Sequence, residues 1–326
     1  MFRTVLLLLL GVFAFAPLAS AQIIGADPLT ASISPQYPRP YQTVTIAPIS
    51  TLIDLSASTV TVSANGTVVG KGSGAQKVNV TLGGPGTRTA VRITVTDPGG
   101  STYTEDLSIR PADAALIVEP STTVHPFYQG GSLVASEGSL RVIALPDIRT
   151  APGTRINPAS LVYTWKLGDQ VLQAQSGVGK STLQAVAPPR YRDALLTLTV
   201  ATVDNAIVAQ TSTSIAASEP VVRIYERDPL LGPLFNRAIS GTFVMSEDEQ
   251  AFRAVPYFFA SAPAIAWSVN NAPSGADKDI TLRASGGGGG TANVSVRANQ
   301  PANYQSATAA LKVEFDSDAG LGIFGL

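Results

Sequence analysis

The chain carries a single histidine, His125, and no cysteine. That inventory removes disulfides, zinc ribbons, iron–sulfur sites, thiolate-ligated haem, and mechanisms that need a cysteine or a second histidine. His125 stands beside Pro126 and Phe127, the setting of a loop residue. Ala174-Gln175-Ser176-Gly177-Val178-Gly179-Lys180-Ser181 fits a relaxed phosphate-loop pattern with Ala in place of the first Gly. Phosphate binding there needs a helix directly after the lysine. Thr182 to Ala187 instead runs into Pro188-Pro189, too short for a useful helix, so the segment reads as a Gly/Ser hairpin loop. Asp316-Ser317-Asp318-Ala319-Gly320 opens like a calcium loop but has Leu321 where the motif needs Gly. It reads as a polar linker, and Glu247-Asp248-Glu249 as a solvated turn. Glycoside hydrolysis would need two acids roughly 5–10 Å apart. Nothing among the 23 acidic residues singles out such a pair. No catalytic residue is assigned, and the expectation is a protein that is not an enzyme.

Aromatic residues offer binding in place of catalysis. Tyr257-Phe258-Phe259, with Phe252 nearby, could stack sugar rings; alternate members could equally fill a core. These three, with Ile323, Phe324 and Leu326 of the terminal segment, are the interaction candidates. Pro188-Pro189-Arg190-Tyr191-Arg192 interleaves arginine and an aromatic, but two positive charges do not make a nucleic-acid site. Asn65, Asn79 and Asn293 head glycosylation sequons, the first at an Asn-Gly turn.

The first residues read as an export signal. Arg3 supplies the positive start, Val5 to Ala16 an apolar run, and Ala19-Ser20-Ala21 a small-residue cleavage site. The run breaks at Pro17, well short of the roughly 20 apolar residues a membrane span requires. No cysteine follows for a lipid anchor, and no second apolar span exists. Removing residues 1–21 takes away Arg3 and leaves 21 positive against 23 negative side chains. A net charge of −2 gives no electrostatic footprint for nucleic acid or an anionic membrane. The chain is 45% hydrophobic, which excludes global disorder, and only 14% charged. An exported chain of this size without cysteine argues for a prokaryotic source.

The elements that must position these residues repeat. Trp165 and Trp267 sit in similar segments, Leu161 to Leu167 and Ala264 to Val269, 102 residues apart. A further 102 residues back lies Ser63, inside the alternating segment Thr59 to Val69 with Asn65-Gly66 at a two-residue hairpin turn. Each unit closes with a strand, a polar turn and a second strand: residues 91–109, 196–215 and 293–313. A period near 100 indicates tandem sandwich domains, not a short-period solenoid. Within units the period is two. Leu196, Leu198 and Val200 alternate with polar neighbours, as do Leu140, Val142 and Ala144, and Ile265, Trp267 and Val269. The Gly286–Gly290 run reads as a loop between strands of the third unit.

Tyr163-Thr164-Trp165, the Leu167-Gly168-Asp169-Gln170 turn and the closing pair from Leu195 to Ile215 resemble immunoglobulin-like and PKD-like modules in tandem on bacterial surface proteins. The resemblance covers the second unit best, the third moderately and the first weakly. Pro229 to Arg237, followed by Val255-Pro256-Tyr257-Phe258-Phe259, also resembles an uncharacterised exported family, which implies no activity. The expected fold class is all-β: three tandem Ig/PKD-like antiparallel β-sandwiches after the signal peptide. The expected bounds are 1–21, 22–111, 112–219 and 220–315, then a polar and apolar tail, 316–326. Short proline-bearing links at Arg110-Pro111 and Glu219-Pro220 suggest a semi-rigid rod. Asp113, Glu119, Glu219, Glu226 and Asp228 lie near the links, where calcium could bridge modules; no other cofactor is expected. Tyr191 fits a tyrosine corner closing a sandwich edge.

The functional expectation is a non-catalytic, exported structural or adhesive protein that contacts a surface or envelope protein or a glycan. The alternatives are a carbohydrate-active enzyme or carbohydrate-binding accessory chain, and a periplasmic partner in envelope or pilus assembly. The Asp316–Leu326 segment would insert Ile323, Phe324 and Leu326 into a partner's groove or complete its sheet edge.

Overall fold

The computed structural model describes residues 27–74, 76–151, 153–284 and 289–315. The export signal, and the tail with Ile323, Phe324 and Leu326, lie outside the described residues. So do residues 285–288 of the glycine run, while Gly290 opens a strand.

The first unit has seven strands. They are β1 (Thr30–Ser34), β2 (Thr43–Ile49), β3 (Thr59–Ala64), β4 (Thr67–Ser73), β5 (Val78–Thr81), β6 (Thr89–Thr96) and β7 (Thr102–Ile109). Sheet β1-β2-β5 packs on sheet β4-β3-β6-β7, and Val44, Ile46 and Val80 meet Val60, Val62 and Ile93 between them. Alternation decides this: one face of each strand is buried and the other carries Thr and Ser.

The second unit comprises β8 (Asp113–Pro120), β9 (Ser139–Asp147), β10 (Val162–Leu167), β11 (Gln170–Val171), β12 (Gly177–Val178), β13 (Thr182–Val186), β14 (Ala194–Ala201) and β15 (Val208–Ile215). Its sheets are β8-β9-β13 and β11-β10-β14-β15, with β12 beside β10. The third comprises β16 (Val221–Asp228), β17 (Gly232–Pro233), β18 (Gly241–Met245), β19 (Glu249–Tyr257), β20 (Ala264–Val269), β21 (Ala272–Gly275), β22 (Asp279–Arg283), β23 (Gly290–Gln300) and β24 (Gln305–Phe315). Its sheets are β17-β16-β19-β22 and β18-β24-β23-β20-β21.

All three units share one plan: leaving aside the short β12, β17 and the added β18, the first, second and fifth strands form one sheet and the third, fourth, sixth and seventh the other. This is the immunoglobulin and fibronectin-III sandwich arrangement. The chain is a tandem of such sandwiches. Its only helical segments among the described residues are single 3₁₀ turns. One pairing departs from the antiparallel expectation. In the third unit the chain leaves the first sheet after β17, and β18 runs parallel to β24 in the other.

Both tryptophans are core residues of the third principal strand. The Trp165 indole N–H donates to the Lys180 carbonyl at 3.0 Å, and that of Trp267 to the Asp277 carbonyl at 2.9 Å. Pairing identifies the equivalent in the first unit: Trp165 faces Leu198, Trp267 faces Val296, and Val62 faces Ile93. The 102-residue count to Ser63 therefore misses by one, and one residue is the difference between the two faces of a strand.

Hydrogen bonds join the units in series. The Ala112 N–H donates to the Pro38 carbonyl at 3.3 Å, and Arg39 pairs with Asp113 at 3.2 Å. Gly86, at φ +82°, comes so close that a Cβ there would lie 2.8 Å from the Thr150 carbonyl oxygen. At the second junction the Ser218 N–H holds the exit link to the Val134 carbonyl of its own unit at 2.7 Å, and the Arg190 guanidinium reaches across to the Tyr304 carbonyl at 3.3 Å. Gln305 is fully buried there: its amide donates to the Ser136 carbonyl at 2.9 Å and accepts from the Ala260 N–H at 2.8 Å.

Candidate functional site

The segment 121–138, which links β8 to β9, reaches onto the outer face of the third sandwich. It is tied to itself first: the Thr122 hydroxyl donates to the Leu133 carbonyl at 2.6 Å. At its turn the His125 Nδ1 accepts from the Phe127 N–H at 3.1 Å, and the Tyr128 N–H donates to the His125 carbonyl at 2.9 Å. Proline at 126 presets the backbone angle such a turn needs. The turn delivers the imidazole among aromatic rings of the neighbouring unit, 6.0 Å from Tyr225, 6.3 Å from Tyr257 and 6.4 Å from Phe235.

Alternation in β16 and β19 supplies the other side. Val222, Ile224, Phe252 and Ala254 point into the sandwich core, so Val221, Arg223, Tyr225, Val255 and Tyr257 point outward. Outward tyrosines are ordinarily wet, yet Tyr225 and Tyr257 are only 1% and 4% exposed. The Tyr257 hydroxyl donates to the Tyr225 hydroxyl at 3.2 Å. Burial, and then that hydrogen bond, push the Tyr257 hydroxyl far above the ordinary tyrosine value, so it stays protonated. The hairpin at Pro229 to Phe235 is held by Asp228, whose carboxylate accepts from the Leu230 and Leu231 N–H groups. It brings Phe235 edge-on to Tyr225 at 5.1 Å.

Between these walls lies a cleft of about 400 Å³. His125, Tyr128, Tyr225, Tyr257 and Phe258 line it, with Arg223 beside them and Val124, Val221 and Ala238 completing the wall. Phe258 takes its place through a left-handed backbone, φ 60°, which is costly for an aromatic residue. Among the described residues no carboxylate lines the cleft. On the same sheet Arg227 and Arg253 both close on Asp279, whereas Arg223 has no carboxylate partner among the described residues.

The sequence-derived candidates are divided by the structure. Tyr257 and Phe258 line the cleft, while Phe259 and Phe252 belong to the core of the third sandwich, so the four do not form a flat stacking platform. His125 is a loop residue, as read, but it occupies the centre of the aromatic cluster. Tyr191 is no tyrosine corner. It is 88% exposed at φ 63°, and hydrogen bonding to Glu219 raises its hydroxyl. The phosphate-loop-like segment leads into β13 with no helix, and its Lys180 ammonium donates to the Ala174 carbonyl at 2.7 Å. The acids near the links are engaged separately. Asp113 pairs with Arg39, Glu119 with Arg141 and Glu219 with Arg190; Glu226 accepts from Gln250 and Asp228 holds its own turn. Among the described residues no three His, Asp or Glu side chains converge as a metal would require. Glu249 of the Glu247–Glu249 turn pairs with Arg283. Tyr128, Arg223 and Tyr225 escaped the sequence reading. Arg223 and Tyr225 had a signal, a strand with bulky residues on both faces, Val221 to Tyr225, which implies a cover on each side; Tyr128, in the loop before β9, had none.

No family model matches the chain, and no curated protein matches it. Solved structures do. Three N-terminal domains of the bacteriophage RB49 Highly Immunogenic Outer Capsid protein are 11% identical over 88% of this chain and 97% of that one, with a TM-score of 0.24. Fibronectin(III)-like modules of Clostridium thermocellum CbhA are 9% identical, covering 58% of this chain and 94% of that one at a TM-score of 0.28. A 1.5-MDa bacterial ice-binding adhesin is 12% identical, covering 90% and 99% at 0.24. Likenesses of this size carry no argument about activity; strand order alone establishes the fold here. Among the described residues no helix is long and apolar enough to cross a membrane.

Proposed function

We propose that the chain is an exported, non-catalytic structural or adhesive protein, a semi-rigid series of three sandwiches that makes contacts at the cell surface. One observation supports this reading: a largely aromatic cleft lies where the second unit meets the third. Its wall is mostly aromatic and lacks any carboxylate among the described residues, so it has no pair of acids for glycosidic hydrolysis. The Nδ1 of its histidine already accepts a backbone hydrogen bond. Clefts of this size at domain junctions, apolar with a few placed polar groups, are the ordinary form of binding sites.

Protease shaving of intact cells tests it, with mass spectrometry following peptides from residues 30–109, 113–215 and 221–315. Release of these peptides from intact cells is the expected result. Protection until the envelope is opened would overturn the surface role and favour a periplasmic assembly partner.

A further inference from the structure

We propose that the cleft takes a carboxylated sugar unit, its ring against the aromatic side chains and its carboxylate on Arg223. The inference deepens the reading of the chain as a contact-making protein and rests on it. Three features of the wall select the ligand. Aromatic residues dominate it: Tyr225 and Tyr257 are buried at its base, while half-exposed Tyr128 and partly buried His125 and Phe258 offer ring surface to the flat C–H face of a pyranose. The only formal charge is the Arg223 guanidinium, free of a carboxylate partner among the described residues and exposed, with a fork that matches a carboxylate. A cationic ligand would meet that charge with nothing to offset it. The third feature separates a sugar from an apolar acid. The Tyr225 hydroxyl accepts the hydrogen bond from Tyr257, and its own proton remains to donate; the His125 Nδ1 is occupied, which leaves Nε2 as the second ring position. A fatty chain would leave these groups without a partner, whereas the hydroxyl edge of a sugar meets them. A volume of about 400 Å³ lies within the usual range for small-ligand pockets.

The test is calorimetric titration of the purified chain with galacturonic acid trisaccharide, and with galactose trisaccharide as the neutral control. The acidic sugar should bind and the neutral one should bind about tenfold more weakly or not at all. Arg223→Gln should abolish that preference, and Tyr128→Ala, on an already half-exposed ring, should weaken both sugars. Equal affinity for the two sugars, no binding of either, or binding indifferent to both variants would overturn the site. The surface role is judged separately by shaving. Peptides released from intact cells without sugar binding would remove this site alone. Sugar binding with peptides protected in intact cells would remove only the surface role.

Discussion

At the scale of single residues, the two tryptophans do the same work in two units, and the chain contains no others. Each is buried and each donates its indole N–H to a backbone carbonyl. Trp165→Phe should therefore cost its unit about 2 kcal/mol, from lost packing and the lost hydrogen bond to Lys180. The remaining Trp267 then reports the third unit alone, so urea unfolding followed by fluorescence and by circular dichroism should separate. Coincident, unshifted curves would refute the assignment. Asp279 makes a second prediction. Hydrogen bonding to Arg253 holds its carboxyl below the ordinary 3.8, with Arg227 adding attraction. A lowered folded-state value means that its stabilisation is complete above the ordinary value and is lost as pH falls through the lowered one. Asp279→Asn should lower the urea midpoint at neutral pH, and the gap from the unaltered chain should narrow as pH falls below the ordinary carboxylate range and through the lowered folded-state value. A gap that is constant with pH would show the pair to be inert. Single residues were legible where they fill a core. Tyr191 was not, because sequence shows its place before β14 but not that its ring faces water beside Glu219.

Elements were legible wherever alternation and turn chemistry agreed. Leu196, Leu198 and Val200 are all buried, and Asn65-Gly66 turns with φ of 48° and 82°, the pair a two-residue hairpin demands. The third unit repeats this device without glycine. Asn270 and Asn271 lie at φ 49° and 66°, and the Asn270 side chain accepts from the Asn293 N–H at 2.9 Å, as Asn65 accepts from Ala90. Asn270→Ala loses the acceptor and forces alanine into a left-handed backbone, so it should destabilise by about 1–2 kcal/mol. Asn270→Gly relieves the backbone and loses only the hydrogen bond, and should recover roughly half of that. If both variants melt alike, the side-chain hydrogen bond is the whole effect. The parallel strand β18 was not legible. Alternation says which face of a strand is buried; it does not name the neighbour or its direction, and β24 is some seventy residues away. The cleft was hidden for the same reason. Its walls come from segment 121–138 and from β16 and β19, which no local pattern connects.

At the scale of the molecule, the cleft exists only while the second unit stays on the third, and Gln305 is the side chain most committed to holding it there. Its amide is fully buried, reaches Ser136 in the same segment that carries His125 and Tyr128, and ties that segment to Ala260. Gln305→Leu keeps the volume and removes both hydrogen bonds, leaving the carbonyl of buried Ser136 unpaired at roughly 1–3 kcal/mol and the partly buried Ala260 N–H without its acceptor. Ser136 lies across the junction, so the second unit escapes this penalty by letting its segment lift off, whereas Ala260 stays fixed beside β19. The expected result is faster amide exchange across residues 121–138, by about tenfold or more, with little change around Trp165. Sugar affinity should fall with it, because a wall that samples the open state binds only in the closed fraction. Exchange in 121–138 that is unchanged by the substitution would mean that other contacts, the Ser218–Val134 and Arg190–Tyr304 hydrogen bonds among them, fix the segment without Gln305. Faster exchange without weaker binding would place the ligand elsewhere on the third sandwich.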